Sequence, residues 1–113
     1  MAVSEAYLRY VVDQLAVFGP VAPRRMFGGA GLYRNGTMFA LIADDVLYFK
    51  VDDSNRQDYE TMDSEPFRPY AGKTTVMSYY EVPADIVENR DELAAWAIGA
   101  YAAALRTRRG KKR

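Results

Sequence analysis

The segment from Arg24 to Gly31 contains the residue types best suited to binding an anion. Two arginines, one phenylalanine and three glycines share it: Arg24, Arg25, Phe27, Gly28, Gly29 and Gly31. Guanidinium groups beside the backbone N–H groups of a glycine-rich bend could cradle a phosphate. The segment leads into a strand, however, and matches neither a Walker loop nor a dinucleotide fingerprint, which both open a helix. A structural bend or bulge at the strand entrance is the alternative interpretation.

Ser78 is a candidate nucleophile only if a basic side chain lies beside it. It precedes Tyr79 in a run of β-forming residues, where successive side chains point to opposite faces, so we expect one of the two to face the helices. Because the chain contains no histidine, Lys50 or Lys73 would have to act as the general base. Neither a Ser-x-x-Lys nor a Gly-x-Ser-x-Gly spacing is present. We therefore assign no catalytic residue.

Metal and cofactor chemistry has little support in the sequence. Cysteine and histidine are both absent, which removes thiolate ligands, disulfides and the commonest general base. The paired carboxylates Asp44-Asp45 and Asp52-Asp53 fall at an expected turn and an expected helix cap, where such residues are common. We therefore expect no metal and no cofactor, and an enzyme is the less favoured alternative.

The chain has 113 residues, half of them hydrophobic, which predicts a single folded domain. Its formal net charge of zero conceals an asymmetry, because six of the 15 basic residues lie in the last eight positions. The rest of the chain has 9 basic and 15 acidic residues, a formal charge of −6, which does not suit a surface that grips DNA phosphates. We divide the chain into a domain over residues 1–105 and a basic tail over 106–113. The tail either binds polyanions weakly or is simply solvated.

The location of the protein is predicted from missing signals. No apolar run approaches the roughly 20 residues that span a bilayer. The N-terminus lacks the basic start and apolar stretch of a signal peptide. Together with the absence of cysteine, these features predict a cytoplasmic protein without membrane contact.

Apolar residues at helical spacing predict the helices. The first runs over residues 4–18, with Ser4 as its cap. A short second helix, capped by Asp52 or Asp53, runs to about Met62, with Tyr59 and Met62 turned inward.

The last third of the chain is predicted to be mainly helical. A helical turn forms over residues 83–86, and Asn89 then caps the last helix, with Glu92 at the spacing of a capping box. A single apolar stripe is expected to bury this helix: Leu93, Trp96, Ala97, Ala100, Tyr101 and Ala104.

Three strands are predicted in the first half of the chain. Residues 30–34, 37–43 and 46–51 form an antiparallel meander joined by tight turns at Asn35-Gly36 and Asp44-Asp45. The chain over 21–23 is expected to be extended, because proline restricts itself and its predecessor. Two further strands are predicted over 67–70 and 74–82, and Pro69 places the first of them at a sheet edge.

The meander has a pattern that distinguishes its two faces. Residues 37–43 are apolar on both sides, which predicts a central strand. In the next strand we expect the helices to cover Leu47 and Phe49, leaving Tyr48 and Lys50 beside Tyr33 on the other face. That face is either an amphipathic surface with wet tyrosine hydroxyls, or a dimer or partner surface, since Tyr and Met are frequent at interface cores.

The resulting order is a helix, a three-stranded antiparallel meander, a helix, two strands and a helix. A sheet with its helices segregated to one side belongs to the α+β class.

Four strings of residues, taken in order, resemble the amino-terminal domain of the TfoX/Sxy family of bacterial competence regulators. They are residues 24–29, 38–50, 66–67 and 77–80, and the resemblance extends over about residues 7–101. It implies the element order derived above and a fold similar to that of secretion chaperones. Two-domain members are regulators of natural competence that act with the cyclic-AMP receptor protein at particular promoters. We expect this chain to correspond to the first domain alone, and the family has no established catalytic residues to carry over.

We therefore expect a non-enzymatic protein-interaction module, a TfoX-like accessory of transcription or competence regulation. Its expected partner is a protein, with the transcription machinery as a candidate; a homodimer stays open, and DNA binding is expected only weakly through the tail. The alternative is a binder of small anionic ligands, or an enzyme, that uses the arginine–glycine segment. The candidate ligand-binding or partner-binding residues are Arg24, Arg25, Phe27, Gly28, Gly29, Tyr48, Lys50, Lys73, Ser78 and Tyr79.

Overall fold

The computed structural model of the protein describes residues 4–26, 28–67 and 78–111, with side chains to residue 107. Over these ranges the chain forms four helices and five strands. In chain order they are α1 (Glu5–Gln14), β1 (Ala22–Met26), β2 (Gly29–Arg34), β3 (Thr37–Ala43), β4 (Val46–Lys50), α2 (Arg56–Thr61), β5 (Tyr79–Glu81), α3 (Ala84–Glu88) and α4 (Arg90–Lys111). Two candidate site residues, Phe27 and Lys73, lie outside the described residues, as do residues 68–77 of the predicted fourth and fifth strands.

The strands form one antiparallel sheet in the order β1-β2-β3-β4-β5, with β3 at its centre as predicted. Both predicted hairpin turns are confirmed. Asn35 and Gly36 have φ angles of 50° and 78°, and Asp44 and Asp45 have φ angles of 53° and 57°. Positive φ at both central residues matches the right-handed twist of the flanking strands. The α+β class is therefore confirmed.

The strand β1 is an addition to the prediction, which had only a short extended stretch at 21–23. It precedes the three predicted strands, so the meander before α2 has four strands. Residues 22–25 are all exposed, and Arg24 and Arg25 provide no apolar alternation. Pairing with β2, rather than burial of its own side chains, holds this segment extended.

The sheet continues beyond β5 on its other edge. Pro66 forms a bridge with Tyr80, the N–H of Phe67 donates to the Tyr79 carbonyl at 2.7 Å, and the N–H of Glu81 donates to the Glu65 carbonyl at 2.9 Å. The backbone of residues 65–67 thus covers the outer side of β5. This agrees with a proline-containing segment at a sheet edge.

The core lies between one face of the sheet and the helices. α4 packs across β3 and β4, and α3 packs on α4. The predicted α4 stripe is confirmed, with Leu93, Ala97 and Ala100 wholly buried, and the Asn89 Oδ1 accepts from the Glu92 N–H at 3.1 Å as a cap. The large fully buried side chains of the sheet are Leu32, Phe39, Ile42, Leu47 and Phe49. Each stabilises the fold by roughly 1.5–3 kcal/mol relative to an exposed position.

The first helix begins where it was predicted but ends earlier. The Ser4 Oγ accepts from the Tyr7 N–H at 3.1 Å, which confirms the cap. The α-helix ends at Gln14 rather than Phe18, because the Ala16 N–H bonds to the Asp13 carbonyl three residues back, which tightens the chain into turns. Phe18 is buried nevertheless.

The second helix begins two to three residues later than predicted, because Asn55 rather than Asp52 or Asp53 occupies its N-cap position. Asp52 does not cap it, because its carboxylate accepts from the Ser54 N–H and Oγ and from Arg106 of α4. Arg106, which we placed in the basic tail, is thus part of α4 and paired with the body of the protein. Tyr59 is buried as predicted, but the inward position of Met62 is wrong: Met62 follows the end of the helix and is 43% exposed.

None of the helices in the described ranges has the length and apolar character needed to cross a membrane.

Candidate functional site

The sheet has an outer face, which we define as the face opposite the helices. The strand register aligns one row of residues on it across β1 to β4: Arg24, Gly31, Leu41 and Tyr48. A second row includes Tyr33 paired with Met38, and Lys50 paired with Tyr79. In β2, β3 and β4 the residues of the other face lie in the core: Ala30, Leu32, Ala40, Ile42, Leu47 and Phe49. Tyr48, Lys50 and Tyr33 therefore share the outer face, as predicted.

Two methionines and a tyrosine fill the outer face above Gly31. A Cβ added to Gly31 would lie 2.6 Å from Met26 Cε, 2.9 Å from Met38 Sδ and 3.1 Å from the Tyr33 ring. The guanidinium of Arg24 lies over the same ring, 5.0 Å from its centroid. Such a cation–π contact contributes about 0.5–1 kcal/mol at an exposed site. The result is a surface of adaptable thioethers beside an ordered Tyr–Arg pair.

Lys50 of β4 contacts Ser78 and Tyr79 on the outer face, near the β5 end of the sheet. Its Nζ donates to the Ser78 Oγ at 2.6 Å and lies 5.3 Å from the centroid of the Tyr79 ring. Both residues thus contact Lys50 on the outer side, so the expectation that one of them faces the helices is wrong. Tyr80 takes that position and packs against the core. With Lys50 as the donor, the contact orders the serine side chain and does not withdraw its proton.

Tyr79 and Tyr48 differ from ordinary surface tyrosines. Burial, with a smaller contribution from the nearby Tyr33, raises the pKa of Tyr79 to about 12. Burial and then the carboxylates of Glu81 and Asp44 raise the pKa of Tyr48. The Tyr48 ring is held edge-on against Phe67 at 5.0 Å between centroids. Both phenols are therefore neutral hydrogen-bonding groups across the physiological pH range.

The two arginines of the arginine–glycine segment point in different directions. Adjacent residues of a strand alternate between faces, so Arg24 lies on the outer face and Arg25 on the side of the helices. The Arg25 Nη2 lies 2.6 Å from Oε1 of Glu5 in α1. The two guanidinium groups therefore do not share one pocket.

Of the three glycines of the segment, Gly28 lies in a turn, whereas Gly29 and Gly31 belong to β2. Met26 and Gly29 are paired, so the connection between β1 and β2 has two residues, and Gly28 within it has a φ of 81°. Gly28 thus provides the bend predicted at the strand entrance, whereas the pairing of β1 with β2 is regular from Met26 and Gly29 onward. The register shift of the sheet lies instead between Leu32 and Tyr33.

The described members of the predicted anion site do not converge. Arg24 lies on β1 and Lys50 on β4, three strands away, which corresponds to about 14 Å at the usual strand spacing. Arg25 lies on the opposite side of the sheet from both. The arrangement spreads positive charge over the surface rather than concentrating it around a small ligand.

Sequence reasoning missed a groove beside the sheet, between α1 and β1. Its lining residues are Glu5, Ala6, Leu8, Arg9, Tyr10, Val12, Asp13 and Pro23. Tyr10 is 39% exposed here. The position of Tyr10 outside the core stripe of α1 was the available signal, because a large aromatic residue on the polar side of a helix marks a surface that can bind.

The fold and the outer face together define a small α+β domain whose sheet is covered by helices on one side and carries Tyr, Met and basic residues on the other. The family model of the TfoX N-terminal domain matches residues 13–104, which is most of the chain. The protein therefore belongs to the TfoX N-terminal domain family, as the four strings predicted. No curated protein matches the chain significantly.

Proposed function

We propose that this protein is a non-enzymatic protein-interaction module that acts as a regulatory accessory, with the transcription machinery as its candidate partner. Its family suggests a role associated with competence and regulation. The single observation that carries the proposal is the outer face of the sheet, where apolar, aromatic and basic side chains lie side by side. The following properties of that face favour a protein partner.

The composition of the outer face is that of an interface core. Tyr, Met and Arg are enriched at protein–protein interfaces, and Met26, Tyr33, Met38 and Arg24 meet around Gly31. Tyrosine supplies contact area at a small entropic cost, and the flexible thioethers adapt to the shape of a partner.

The charge of the outer face contrasts with that of the domain. The charged residues on this face are Arg24, Lys50 and Glu81, which pairs with Tyr48, so the face has a small positive charge although residues 1–105 are acidic overall. A positively charged surface on an otherwise acidic domain favours the orientation in which an acidic partner meets this face, and it disfavours the other orientations. DNA binding, if it occurs, would then be weak and would involve the basic residues over 106–113. Deleting these residues should abolish it.

The proposal is tested with tagged protein in a lysate of the native host. Wild type and a Tyr33→Ala/Met38→Ala variant are compared, with Val17→Ala/Met62→Ala as the matched control because both of its residues are exposed apolar side chains elsewhere. Bound proteins are quantified by mass spectrometry, and RNA polymerase and the cyclic-AMP receptor protein are then tested in purified form. We expect a partner that the wild type and the control retain and the outer-face variant loses.

The proposal fails if no protein is enriched, or if the outer-face variant retains the same proteins as wild type. Circular dichroism and urea unfolding of each variant separate loss of binding from loss of fold.

A further inference from the structure

We propose that the edge strand β1 binds an extended acidic segment of a partner protein as an added strand. This inference rests on the proposed protein-interaction function and specifies the chemistry of the partner. Three features carry it: a strand edge that no described residue pairs with, two arginines on opposite sides of that edge, and the groove beside it.

The two edges of the sheet differ in what lies against them. The edge at β5 is occupied by the backbone of Glu65 and Phe67, which bond to Glu81 and Tyr79. β1 is the last strand at the other end, and among the described residues no backbone segment pairs with its outer side. An exposed edge offers its N–H and C=O groups to an extended chain, the mode of binding known as strand addition.

The charge of β1 determines the kind of strand that fits. Its sequence, Ala-Pro-Arg-Arg-Met, has two positive charges and no negative one. Because Arg24 and Arg25 alternate, an added strand with two adjacent carboxylates would place one opposite each arginine. Cross-strand pairs of opposite charge stabilise a sheet, and charge-assisted hydrogen bonds to arginine are the strong ones.

Both arginine positions are already arranged for this contact. The Arg24 guanidinium is held over the Tyr33 ring, which lowers the entropy lost on binding. Arg25 already binds a carboxylate, that of Glu5 at 2.6 Å. A partner carboxylate would share or replace Glu5, so Glu5 is a competitor built into the protein.

The groove fixes the third position of the partner motif. Pro23 lies on the same side of β1 as Arg25 and lines the groove together with Leu8, Tyr10 and Val12 of α1. The partner residue opposite Pro23 would enter this groove and should be apolar. For an antiparallel added strand, the motif read from N to C is therefore acid, acid, apolar.

A second copy of this chain does not fit the same edge. An antiparallel two-fold pairing of two β1 strands would bring the arginines of both copies opposite each other, which is destabilising. Pro23 also has no N–H to donate. Charged residues and proline are features by which natural edge strands avoid self-association. An acidic partner strand would pair with the arginines instead of repelling them.

The test uses a fluorescein-labelled nonapeptide with a central Glu-Glu-Val, flanked by threonines, and a counterpart with Lys-Lys-Val. Fluorescence anisotropy should show salt-sensitive binding of the acidic peptide. We expect each of Arg24→Glu and Arg25→Glu to weaken it about tenfold, as for other charge-assisted contacts. Arg56→Glu, a charge reversal at a half-buried arginine of α2 that is paired with Asp53 as Arg25 is with Glu5, is the matched control and should leave binding nearly unchanged. Glu5→Gln should tighten binding, because it removes the competing carboxylate.

Hydrogen exchange separates strand addition from a contact of side chains alone. The acidic peptide should slow amide exchange in β1, whereas a purely ionic contact leaves those amides unprotected. Equal binding of the two peptides, equal losses in the Arg24, Arg25 and Arg56 variants, or unchanged exchange in β1 would each overturn the inference. If partner capture persists in the Arg24→Glu/Arg25→Glu variant but is lost in Tyr33→Ala/Met38→Ala, the edge is not the site and the proposed function stands.

Discussion

The covered and outer faces of this sheet are built from adjacent residues of the same strands, yet from different kinds of side chain. Phe39 and Phe49 are wholly buried under the helices, whereas their neighbours Met38 and Tyr48 are partly exposed on the outer face. The fully buried residues of the covered side are apolar groups without polar atoms: Leu32, Phe39, Ile42, Leu47 and Phe49. The outer side uses groups that combine an apolar body with a polarizable or polar end. This division implies that stability depends mainly on one face and recognition on the other.

The largest effect that tests this division is a truncation on each face at neighbouring positions. Phe39→Ala should lower the free energy of unfolding by about 3–5 kcal/mol, because it leaves a cavity among Phe18, Phe49 and Tyr101. Met38→Ala should cost about 1 kcal/mol or less, because a partly exposed thioether leaves no closed cavity. Urea unfolding of both variants measures the difference. Similar losses would mean that the outer face also carries the stability of the fold.

The next effect separates rigid from adaptable neighbours within β2. A Cβ at Gly29 would collide with the Ile42 carbonyl oxygen of β3, and the backbone there cannot move without breaking the pairing. A Cβ at Gly31 would meet the ends of the flexible Met26 and Met38 side chains. Gly29→Ala should therefore cost about 2–3 kcal/mol and Gly31→Ala about 1 kcal/mol. The reverse order in urea unfolding would show that the methionines are held rigidly.

A buried phenol tests the covered face from the opposite direction. The hydroxyl of Tyr59 is buried without a hydrogen-bond partner in the described structure, and its ring packs against Trp96 and Tyr80. Burial raises the pKa of Tyr59. Tyr59→Phe should raise the free energy of unfolding by about 1 kcal/mol, since an unsatisfied buried hydroxyl costs about that much or more. A loss of stability would show that a bound water satisfies the hydroxyl.

Much of this fold could be predicted because turns and buried stripes leave local signals. Asn35-Gly36 and Asp44-Asp45 predicted the hairpins through the positive φ angles that these residues tolerate. The capping residues Ser4 and Asn89 predicted two helix starts. Each of these signals acts within a few residues of the element that it determines.

The features that were missed depend on distant partners. β1 has no apolar alternation, and its pairing with β2 becomes visible only in the assembled sheet. Asp52, which was predicted as a cap of α2, instead binds Arg106, which lies 54 positions away. The alternation of residues along the strands was enough to predict the outer face. The groove beside Pro23, by contrast, is formed by α1, whose position against β1 leaves no local signal in the sequence.

The smallest effect concerns Tyr79, the buried tyrosine of the outer face. Its pKa is raised to about 12, so the folded state favours the neutral phenol. An unfolded tyrosine ionises near about 10, so the stabilisation is complete below that pH and is lost as the pH rises toward 12. We expect the wild type to lose about 1 kcal/mol between about pH 10 and about pH 11 through this group, and Tyr79→Phe to lose less. Urea unfolding of both proteins across that range provides the measurement, with Tyr10→Phe as an exposed control. If the Tyr79→Phe variant and the wild type lose equal stability at alkaline pH, the Tyr79 hydroxyl is solvated. Tyr79 would then resemble the exposed tyrosines, and the outer face would have no buried phenol.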